Sequence, residues 1–302
     1  GHWAAELESA DVLINMAGRI INCPMSDGNI RDIYWSRVNS TRVLNAAVLG
    51  CQRPPRVWLN SSTATIYAHA PLEGRPNDEA TGVVGGFERD APLYWLYSVE
   101  VAKAWESAFF ETETPGTRKV ALRSSFVVET EKGGPFDTFY SAAVLGFGGR
   151  MGSGKQWTSW IHEKDFVGAV DFLIARADVS GVVNVCAPNP VLQEEFMVTL
   201  RKKAGICYAV PMPGPLVTLF TYANRSDPEI PMKSRRVVPG RLLQEGYEFA
   251  HPHWETAAEE SVRTWRAKGY ERSWCGNTFK LFGEVISRWC GNTGGSSSRR
   301  LR

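Results

Sequence analysis

Small and hydroxyl-bearing residues follow two apolar runs, at the points where each run is expected to end as a buried strand. The stretch "VLINMAG" (12–18) ends in small residues, and "VWLNSSTATIY" (57–67) ends in a row of hydroxyls. In open α/β sheets, flat ligands approach the backbone at the carboxyl ends of the strands. Taken alone, the first stretch is equally typical of any buried strand that ends in Ala-Gly. The second is equally typical of a Ser/Thr-rich turn whose hydroxyls form hydrogen bonds with its own backbone.

A tyrosine on a helical pattern is the third candidate for chemistry. Tyr97 lies in "LYSVEVAKAWESA" (96–108), and it can act as an acid only if a nearby cation lowers its pKa from about 10. The residue one helical turn further is Val101, and Lys103 points to another side of the helix. Taken by itself, Tyr97 is therefore better interpreted as an aromatic residue of the core or its boundary.

Histidines and cysteines show none of the spacings that metal sites use. The five histidines form no His-Glu-x-x-His cluster, and the six cysteines form no Cys-x-x-Cys. We therefore predict no metal site, and free buried thiols in a protein of a reducing intracellular compartment. Cytoplasm and an organelle such as the mitochondrion both remain open as that compartment.

Strand-like and helical patterns alternate through the first two-thirds of the chain, as is typical of a parallel sheet with crossover helices. Asp165 is predicted to cap the third helix, because its carboxylate can accept the free amide hydrogens of a first turn. The predicted strands are Val12–Met16, Arg56–Asn60, Lys119–Val128 and Val182–Cys186, and the predicted helices are 28–49, Tyr94–Glu111 and Phe166–Ala177.

Taken together, these motifs resemble the extended short-chain dehydrogenases/reductases. The order is Asn-x-Ala-Gly, Ser-Ser-Thr-Ala-Thr-x-Tyr, a tyrosine-bearing helix, and Arg123 in "ALRSSFVV". The loop "GFGGRMGSGKQWTSWIHEKDFVGAV" (146–170) is similar to the signature of one atypical branch, the NAD(P)-dependent, epimerase-like family with a C-terminal domain of unknown function. Residues 184–196 and 235–249 look like later signatures of that family, and the resemblance covers about residues 8–262.

The resemblance implies a Rossmann-like parallel sheet and a small α+β substrate lobe. It implies NAD(P) as cofactor, with NADP favoured, and a proton-handling role for Thr63 and Tyr97. The lysine of the usual Tyr-x-x-x-Lys motif falls at Val101, although the atypical branch itself commonly lacks that motif. The residues expected to line the cofactor are Asn15, Met16, Ala17, Gly18, Ser61, Ser62, Ser124, Ser125 and Phe126.

The glycine-rich signature loop permits a tight backbone, which is expected to turn Gln156, Trp157 and Trp160 towards a substrate cleft between the lobes. His162, in the same loop, has two interpretations. A structural histidine is favoured over a catalytic base, because most buried polar side chains are simply hydrogen-bonded in place.

The predicted domains are a Rossmann-like domain over 1–187, with the signature loop at 146–165, a C-terminal lobe over 188–262, and a basic tail over 263–302. The tail carries nine Lys/Arg against two Glu, while the net charge of the whole chain is +2. Its basic and aromatic residues fit contact with RNA, anionic lipid or an acidic protein, and a solvated extension is the alternative.

On the family pattern, Val12–Met16 corresponds to strand 4. No Gly-x-x-Gly-x-x-Gly loop precedes it, so strands 1 to 3 and the pyrophosphate-binding turn are expected to be absent from these residues. Strand 4 would then present an apolar edge.

Two classes of function follow. The first is an atypical NAD(P)-dependent oxidoreductase or epimerase-like protein of unknown substrate. The alternative is a catalytically reduced structural or assembly subunit of a larger complex, which contacts partners through the strand-4 edge and the basic tail. Primary nucleic-acid binding is weaker, because the body preceding the tail carries net negative charge.

Overall fold

The structure, a computed structural model, describes residues 2–270 apart from residues 22, 24–25, 90 and 224–228. Within these ranges the strands are β1 (Val12–Asn15), β2 (Val57–Thr63), β3 (Arg118–Ser124), β4 (Phe126–Val128), β5 (Trp157–Thr158), β6 (Trp160–His162), β7 (Gly181–Val185) and β8 (Val191–Leu192). The α-helices are α1 (Asp27–Leu49), α2 (Leu93–Phe110), α3 (Pro135–Ala142), α4 (Glu163–Ala175), α5 (Gln193–Lys203), α6 (Gly214–Ala223), α7 (Glu229–Met232), α8 (Gly240–Gln244) and α9 (Trp254–Ala267). None of the helices in this described part is long and apolar enough to cross a membrane.

Four parallel strands form the central sheet in the order β1-β2-β3-β7. The register places Leu13 beside Trp58, and Leu59 beside Val120. Within the described residues β1 pairs with β2 alone. The predicted α/β fold with a Rossmann-like parallel sheet is confirmed.

Side chains along each strand point alternately to the two faces of the sheet, and both faces are buried. Leu59 and Leu122 pack with Leu173 of α4 on one face, while Trp58 and Ala121 pack on the other with residues that include Phe109 of α2. Such burial on both faces explains why these strands are continuous apolar runs in the sequence.

The single strand predicted over Lys119–Val128 is two strands. The chain ends its pairing in the main sheet at Ser124 and continues as β4, which pairs in parallel with β6. This switch carries Phe126 and the residues after it away from the main sheet and towards the second half of the molecule.

A second hydrophobic core joins α3, α5 and α9, and it includes Trp265, which is 3% exposed. Trp265 packs against Phe136 and Tyr140, with ring centroids 5.9 and 5.8 Å apart. The tail predicted to begin at residue 263 therefore begins inside a packed helix, and Trp265 is a core residue. Residues 271–302 of that tail lie outside the described residues, as do Cys275 and Cys290.

The prediction that Asp165 caps α4 is wrong. The N-cap is His162, whose Nδ1 accepts a hydrogen bond from the Lys164 amide at 3.2 Å. The buried Asp165 carboxylate instead accepts bonds from the amides of Ala250 and His251, at 2.7 and 2.9 Å. Asp165 therefore connects α4 to the segment before α9, a long-range contact that local sequence does not reveal.

Of the described cysteines, Cys23, Cys51, Cys186 and Cys207 are free thiols. Cys186 is buried as predicted, whereas Cys207 is exposed.

Candidate functional site

A cleft of about 440 Å³ opens at the carboxyl ends of β1, β2 and β3. Parallel strands bring these three ends to one edge of the sheet, which is where open α/β sheets bind ligands. Most of the residues predicted for the site line this cleft, namely Met16, Ala17, Gly18, Ser61, Ser62, Thr63, Tyr97, Ser124, Ser125, Phe126 and Trp157.

Asn15 was expected to line the cleft but lies behind it. Its side-chain amide donates to Asn60 Oδ1 at 2.7 Å and to Thr41 Oγ1 at 3.4 Å. Its Oδ1 accepts a bond from the Ala17 amide at 3.0 Å. Asn15 is buried and holds the shape of the turn that presents Ala17 and Gly18 to the cleft.

A buried ion pair lies beneath the floor of the cleft. Arg123 donates to both carboxylate oxygens of Glu106, at 2.8 and 2.7 Å, and Ser62 donates to the same carboxylate at 2.5 Å. The third donor group of Arg123 reaches the hydroxyl of Tyr67 at 3.0 Å, and Tyr67 donates to Asn184 at 2.9 Å. Because this network occupies the hydroxyl hydrogen of Ser62, it fixes that side chain as part of the floor.

Two other hydroxyls in the cleft remain able to bind a ligand. The Thr63 oxygen accepts a bond from the Thr65 amide at 3.2 Å, and its hydroxyl hydrogen donates to no partner among the described residues. Ser125 Oγ is buried and makes no hydrogen bond within the same part of the chain. A buried hydroxyl without a partner is costly, so Ser125 is suited to a ligand that completes its bonding.

Tyr97 lies in the cleft, but its hydroxyl is already engaged. It donates to the backbone carbonyl of Ile30 on α1. Burial raises the pKa of Tyr97, and the Arg37 guanidinium lowers it only in part. Val101, one turn further along α2, is 6% exposed and lines the same cleft. Because its hydroxyl hydrogen is already bonded and its pKa is raised, Tyr97 is not suited to exchange a proton near neutral pH.

Gln156 is buried and does not line the cleft. Its amide donates to the carbonyl of Met151, within the signature loop, at 2.8 Å and to that of Pro231 at 2.9 Å. Gln156 therefore holds the loop in its conformation. Trp157 does line the cleft, and its indole N–H donates to the Leu72 carbonyl at 3.2 Å.

Trp160 was expected to face the cleft and instead is fully buried. Its ring packs against Trp254 with centroids 5.2 Å apart, and its indole N–H donates to the Asn189 carbonyl at 3.2 Å. Alternation along β6 turns it into the second core, so it has a packing role.

Several charged residues of the cleft were missed by the sequence reasoning. Arg37, Glu129, Lys233 and Arg235 all line it. Glu129 follows β4 directly, and burial, followed by the charges of Glu163 and Glu131, raises its pKa. Arg37 and Glu129 reach the cleft from different parts of the chain, and Lys233 and Arg235 from a third, so local spacing does not mark them as members of one site.

Three side chains away from the cleft bring potential metal ligands together. Atoms of His162, His251 and Glu260 lie within 4.8 Å of one another. The two imidazole rings stack at 4.0 Å, which sets their in-plane nitrogens side by side instead of aiming them at one point. His251 Nε2 and Lys164 also already bind Glu260. The predicted lack of a metal site remains a prediction, and this group joins α4 to α9.

Comparison with known proteins matches one segment of the chain to a family model and most of the chain to a human relative. Residues 228–261 match the family described as "Domain of unknown function (DUF1731)". The chain is 30% identical over 264 residues to the epimerase family protein SDR39U1 of Homo sapiens, covering 86% of this chain and 84% of that protein.

Solved structures agree with this relationship. The human epimerase family protein SDR39U1 (isoform 2), solved with NADPH, has a TM-score of 0.75 and 26% identity, covering 87% of this chain and 85% of that chain. The UDP-N-acetylglucosamine 4-epimerase from Bacillus cereus has a TM-score of 0.62 at 15% identity, covering 87% and 81% of the two chains, a likeness of fold.

Proposed function

The chain belongs to the epimerase family that includes SDR39U1, and on that premise we propose that it is an NAD(P)-dependent oxidoreductase or epimerase-like enzyme that uses NADP(H). The cofactor is assigned to the cleft at the carboxyl ends of β1 to β3. The human relative was solved with NADPH, which supports NADP(H) over NAD(H).

The observation that carries the proposal is the buried hydroxyl of Ser125, which has no hydrogen-bond partner within the described residues and belongs to a cleft that Ala17 and Gly18 also line. A dinucleotide in this place would complete the hydrogen bonding of Ser125 and lie against Ala17 and Gly18. The residues assigned to hold it are the turn 16–18, Ser61 and the segment 124–126. When bound, NADP(H) supplies or accepts a hydride.

Thr63 is assigned to the substrate. Its hydroxyl hydrogen is free within the described residues, so it can donate to a substrate carbonyl or hydroxyl oxygen. Tyr97 shares the cleft, but its bond to Ile30 gives it a structural role in this arrangement. We therefore assign the contact with the reacting oxygen to Thr63 and place Tyr97 in the cleft wall.

The test is a fluorescence titration of the whole chain with NADPH and, in parallel, with NADH. We expect saturable binding that is tighter for NADPH. Ser125→Ala should weaken NADPH binding by about threefold to tenfold, the range for one neutral hydrogen bond. Ser107→Ala, an exposed position on α2, is the matched control and should change nothing. Failure of both nucleotides to bind would overturn the assignment.

The alternative of a structural or assembly subunit receives no support from the comparisons. The edge of β1 does expose apolar side chains, with Ile14 at 46% and Met16 at 55%. The tail that was expected to contact RNA, anionic lipid or acidic protein lies, beyond residue 270, outside the described residues. The enzyme is therefore the function we propose.

A further inference from the structure

A carboxyl group in the cleft has no bonding partner among the described residues. Glu129 is the one acidic residue in the described lining, and within the same part of the chain it makes no hydrogen bond and no ion pair. Its acidic neighbours do: Glu131 pairs with Lys268 at 2.6 Å, and Glu163 accepts bonds from the amide and hydroxyl of Thr130, both at 3.4 Å. The carboxyl of Glu129 is therefore available to a ligand.

Strand β4 directs Glu129 towards the cleft. Val127 and Glu129 are two residues apart and both line it, whereas Val128 between them is fully buried in the second core. Such alternation is the rule along extended backbone. The pairing of β4 with β6 ends at Val128 and His162, so Glu129 lies at the carboxyl end of a parallel pair, as do the other ligand-facing residues of the cleft.

Gly134 leaves the space that the Glu129 carboxyl occupies. Its φ of −78° and ψ of 174° are open to any residue, so the backbone does not require glycine there. An added Cβ would overlap Glu129 Oε1 and lie 3.2 Å from Glu129 Cδ. A side chain at position 134 would therefore displace the carboxyl, while glycine lets it lie against the start of α3.

The charges nearest to Glu129 favour its protonated form. Burial raises its pKa, and the charges of Glu163 on α4 and of Glu131 raise it further. Glu131 is itself paired with Lys268, and Asp137, in the first turn of α3, accepts a bond from a backbone amide at 2.8 Å. The other charged or titratable residues that line the cleft are Arg37, Tyr97, Lys233 and Arg235. A raised pKa lies closer to the neutral pH at which a general acid works best.

The cleft needs a group that can release a proton. When a carbonyl carbon gains a hydride, the carbonyl oxygen gains negative charge and must be protonated. Tyr97 already donates its hydroxyl hydrogen to Ile30 and has a raised pKa. The hydroxyl of Thr63 can donate a hydrogen bond to that oxygen, but a threonine hydroxyl does not give up its proton near neutral pH.

We propose that Glu129 is the proton donor of the cleft: its carboxyl gives a proton to the substrate oxygen as the carbonyl carbon receives the hydride that NADPH supplies. One C–H and one O–H bond form, the carbonyl double bond becomes single, and the products are the alcohol, NADP⁺ and the Glu129 carboxylate. Because Glu129 is half-buried, it can regain its proton from water. The inference deepens the proposed function and rests on it, with Thr63 bonded to the same oxygen.

The first measurement needs neither nucleotide nor substrate. Infrared spectra of the whole chain across pH, with those of Glu129→Gln subtracted, isolate the carboxyl band of Glu129. We expect the midpoint of its ionisation to lie above the ordinary value of 4.5. Ionisation at or below that value would overturn the proposal, because the group would then hold no proton to give near neutral pH.

The second measurement is the reduction of benzaldehyde and acetophenone with NADPH. These aromatic carbonyl compounds suit the phenylalanine rings of the lining. Glu129→Gln should lower kcat by about 10²–10⁴-fold and change KM by less than about threefold, the size of a weak hydrogen bond. In wild type, kcat should fall as pH rises through the pKa of Glu129, because the acid must be protonated, and this fall should be absent from the variant.

Two further variants complete the design. Gly134→Ala keeps the carboxyl but displaces it, so kcat should fall by up to about 10²-fold, as for a misplaced catalytic group. Glu195→Gln removes a carboxylate at an exposed position on α5; it is the matched control and should leave kcat and its pH profile unchanged. Circular dichroism and NADPH affinity check each variant, and Gly134→Ala carries the test if Glu129→Gln does not fold.

The possible results separate the proton donor from the cofactor. Undiminished kcat in Glu129→Gln, or the same pH profile as wild type, would overturn the role of Glu129 and leave NADPH binding standing. Binding of NADPH without reduction of either probe would overturn the carbonyl step alone. Absence of NADPH binding would overturn the proposed function, and this step with it.

Discussion

The hydroxyl of Tyr97 donates a hydrogen bond to the backbone carbonyl of Ile30, and so joins α2 to α1. The two helices that cover one face of the sheet are thereby bonded where Tyr97 lines the cleft. Tyr97, which resembles the acid of a dehydrogenase by its place in the sequence, acts in this structure as a connection between helices.

The first prediction is that Tyr97→Phe affects stability more than function. Loss of the bond to Ile30 should lower the free energy of unfolding by about 0.5–1.5 kcal/mol, measured by urea denaturation. NADPH affinity should change by less than about threefold, which corresponds to less than one such bond. Tyr208→Phe, at an exposed ring, is the control. Unchanged stability together with lost reduction of a carbonyl probe would return the proton-handling role to Tyr97.

The second prediction concerns the ion pair beneath the cleft. Arg123 and Glu106 are each 11% exposed in their side chains and bonded through two contacts. Glu106→Ala leaves the Arg123 charge buried without its partner, so the free energy of unfolding should fall by about 3–5 kcal/mol.

The matched control is Glu111→Ala, which removes the exposed partner of Arg42. Exposed pairs contribute about 0–1 kcal/mol, so this variant should remain close to wild type in the same denaturation experiment. Similar losses in the two variants would show that burial does not distinguish the pairs.

The third prediction is a dependence of stability on pH at Glu260. Hydrogen bonds from Lys164 and His251 lower the pKa of Glu260 from 4.5 to about 2. A carboxyl whose pKa is depressed by folding stabilises the protein above its unfolded pKa, and this contribution is lost as pH falls through the folded pKa. Stability should therefore decline between about pH 4.5 and about pH 2, and Glu260→Gln should flatten that decline.

The measurement is urea denaturation across that pH range. Glu255→Gln, which removes a carboxylate 75% exposed on the same helix, should leave the slope unchanged. An equal slope in wild type and Glu260→Gln would place the acid sensitivity elsewhere.

The fourth prediction concerns Gly154 of the signature loop, with Gly133, which lies outside that loop, as the comparison. Gly154 has φ +73°, and an added Cβ would lie 2.9 Å from Arg150 Cβ and 3.2 Å from Glu194 Cβ. Gly133 has a similar φ of +82° with nothing within 4 Å. Gly133→Ala should cost about 1–2 kcal/mol for the left-handed backbone, and Gly154→Ala should cost about 1–3 kcal/mol more for crowding. Equal losses in thermal or urea denaturation would refute the crowding argument.

Much of the fold followed from local pattern. The runs that form β1, β2, β3 and β7 are apolar because both faces of the sheet are buried, and α1 and α2 carry apolar residues at helical spacing. Parallel strands then necessarily bring their carboxyl ends to one edge. The family resemblance predicted Thr63 and Ser125 for a single site, and the parallel strands explain why both line the cleft although they are far apart in the sequence.

The errors share a cause. Trp160 and Gln156 are buried, and Asp165 binds amides of residues 250 and 251 in place of capping its own helix. In each case a partner distant along the chain determines where the side chain points. Local spacing indicates the face of an element, but it does not indicate what packs against that face.

By itself, the sequence determined the family, the parallel sheet and the hydroxyls at its edge, because these depend on continuous apolar runs and on motifs whose residues lie close together in the sequence. The tertiary structure decided which groups in the cleft are free to act. It engaged Tyr97 with Ile30, left Ser125 without a partner in the described part, and brought Lys233 and Arg235 into the same cleft as Thr63. The physical reason is that the hydrogen bonds and charges governing a site are made across the fold, between residues whose separation along the chain carries no signal of their contact.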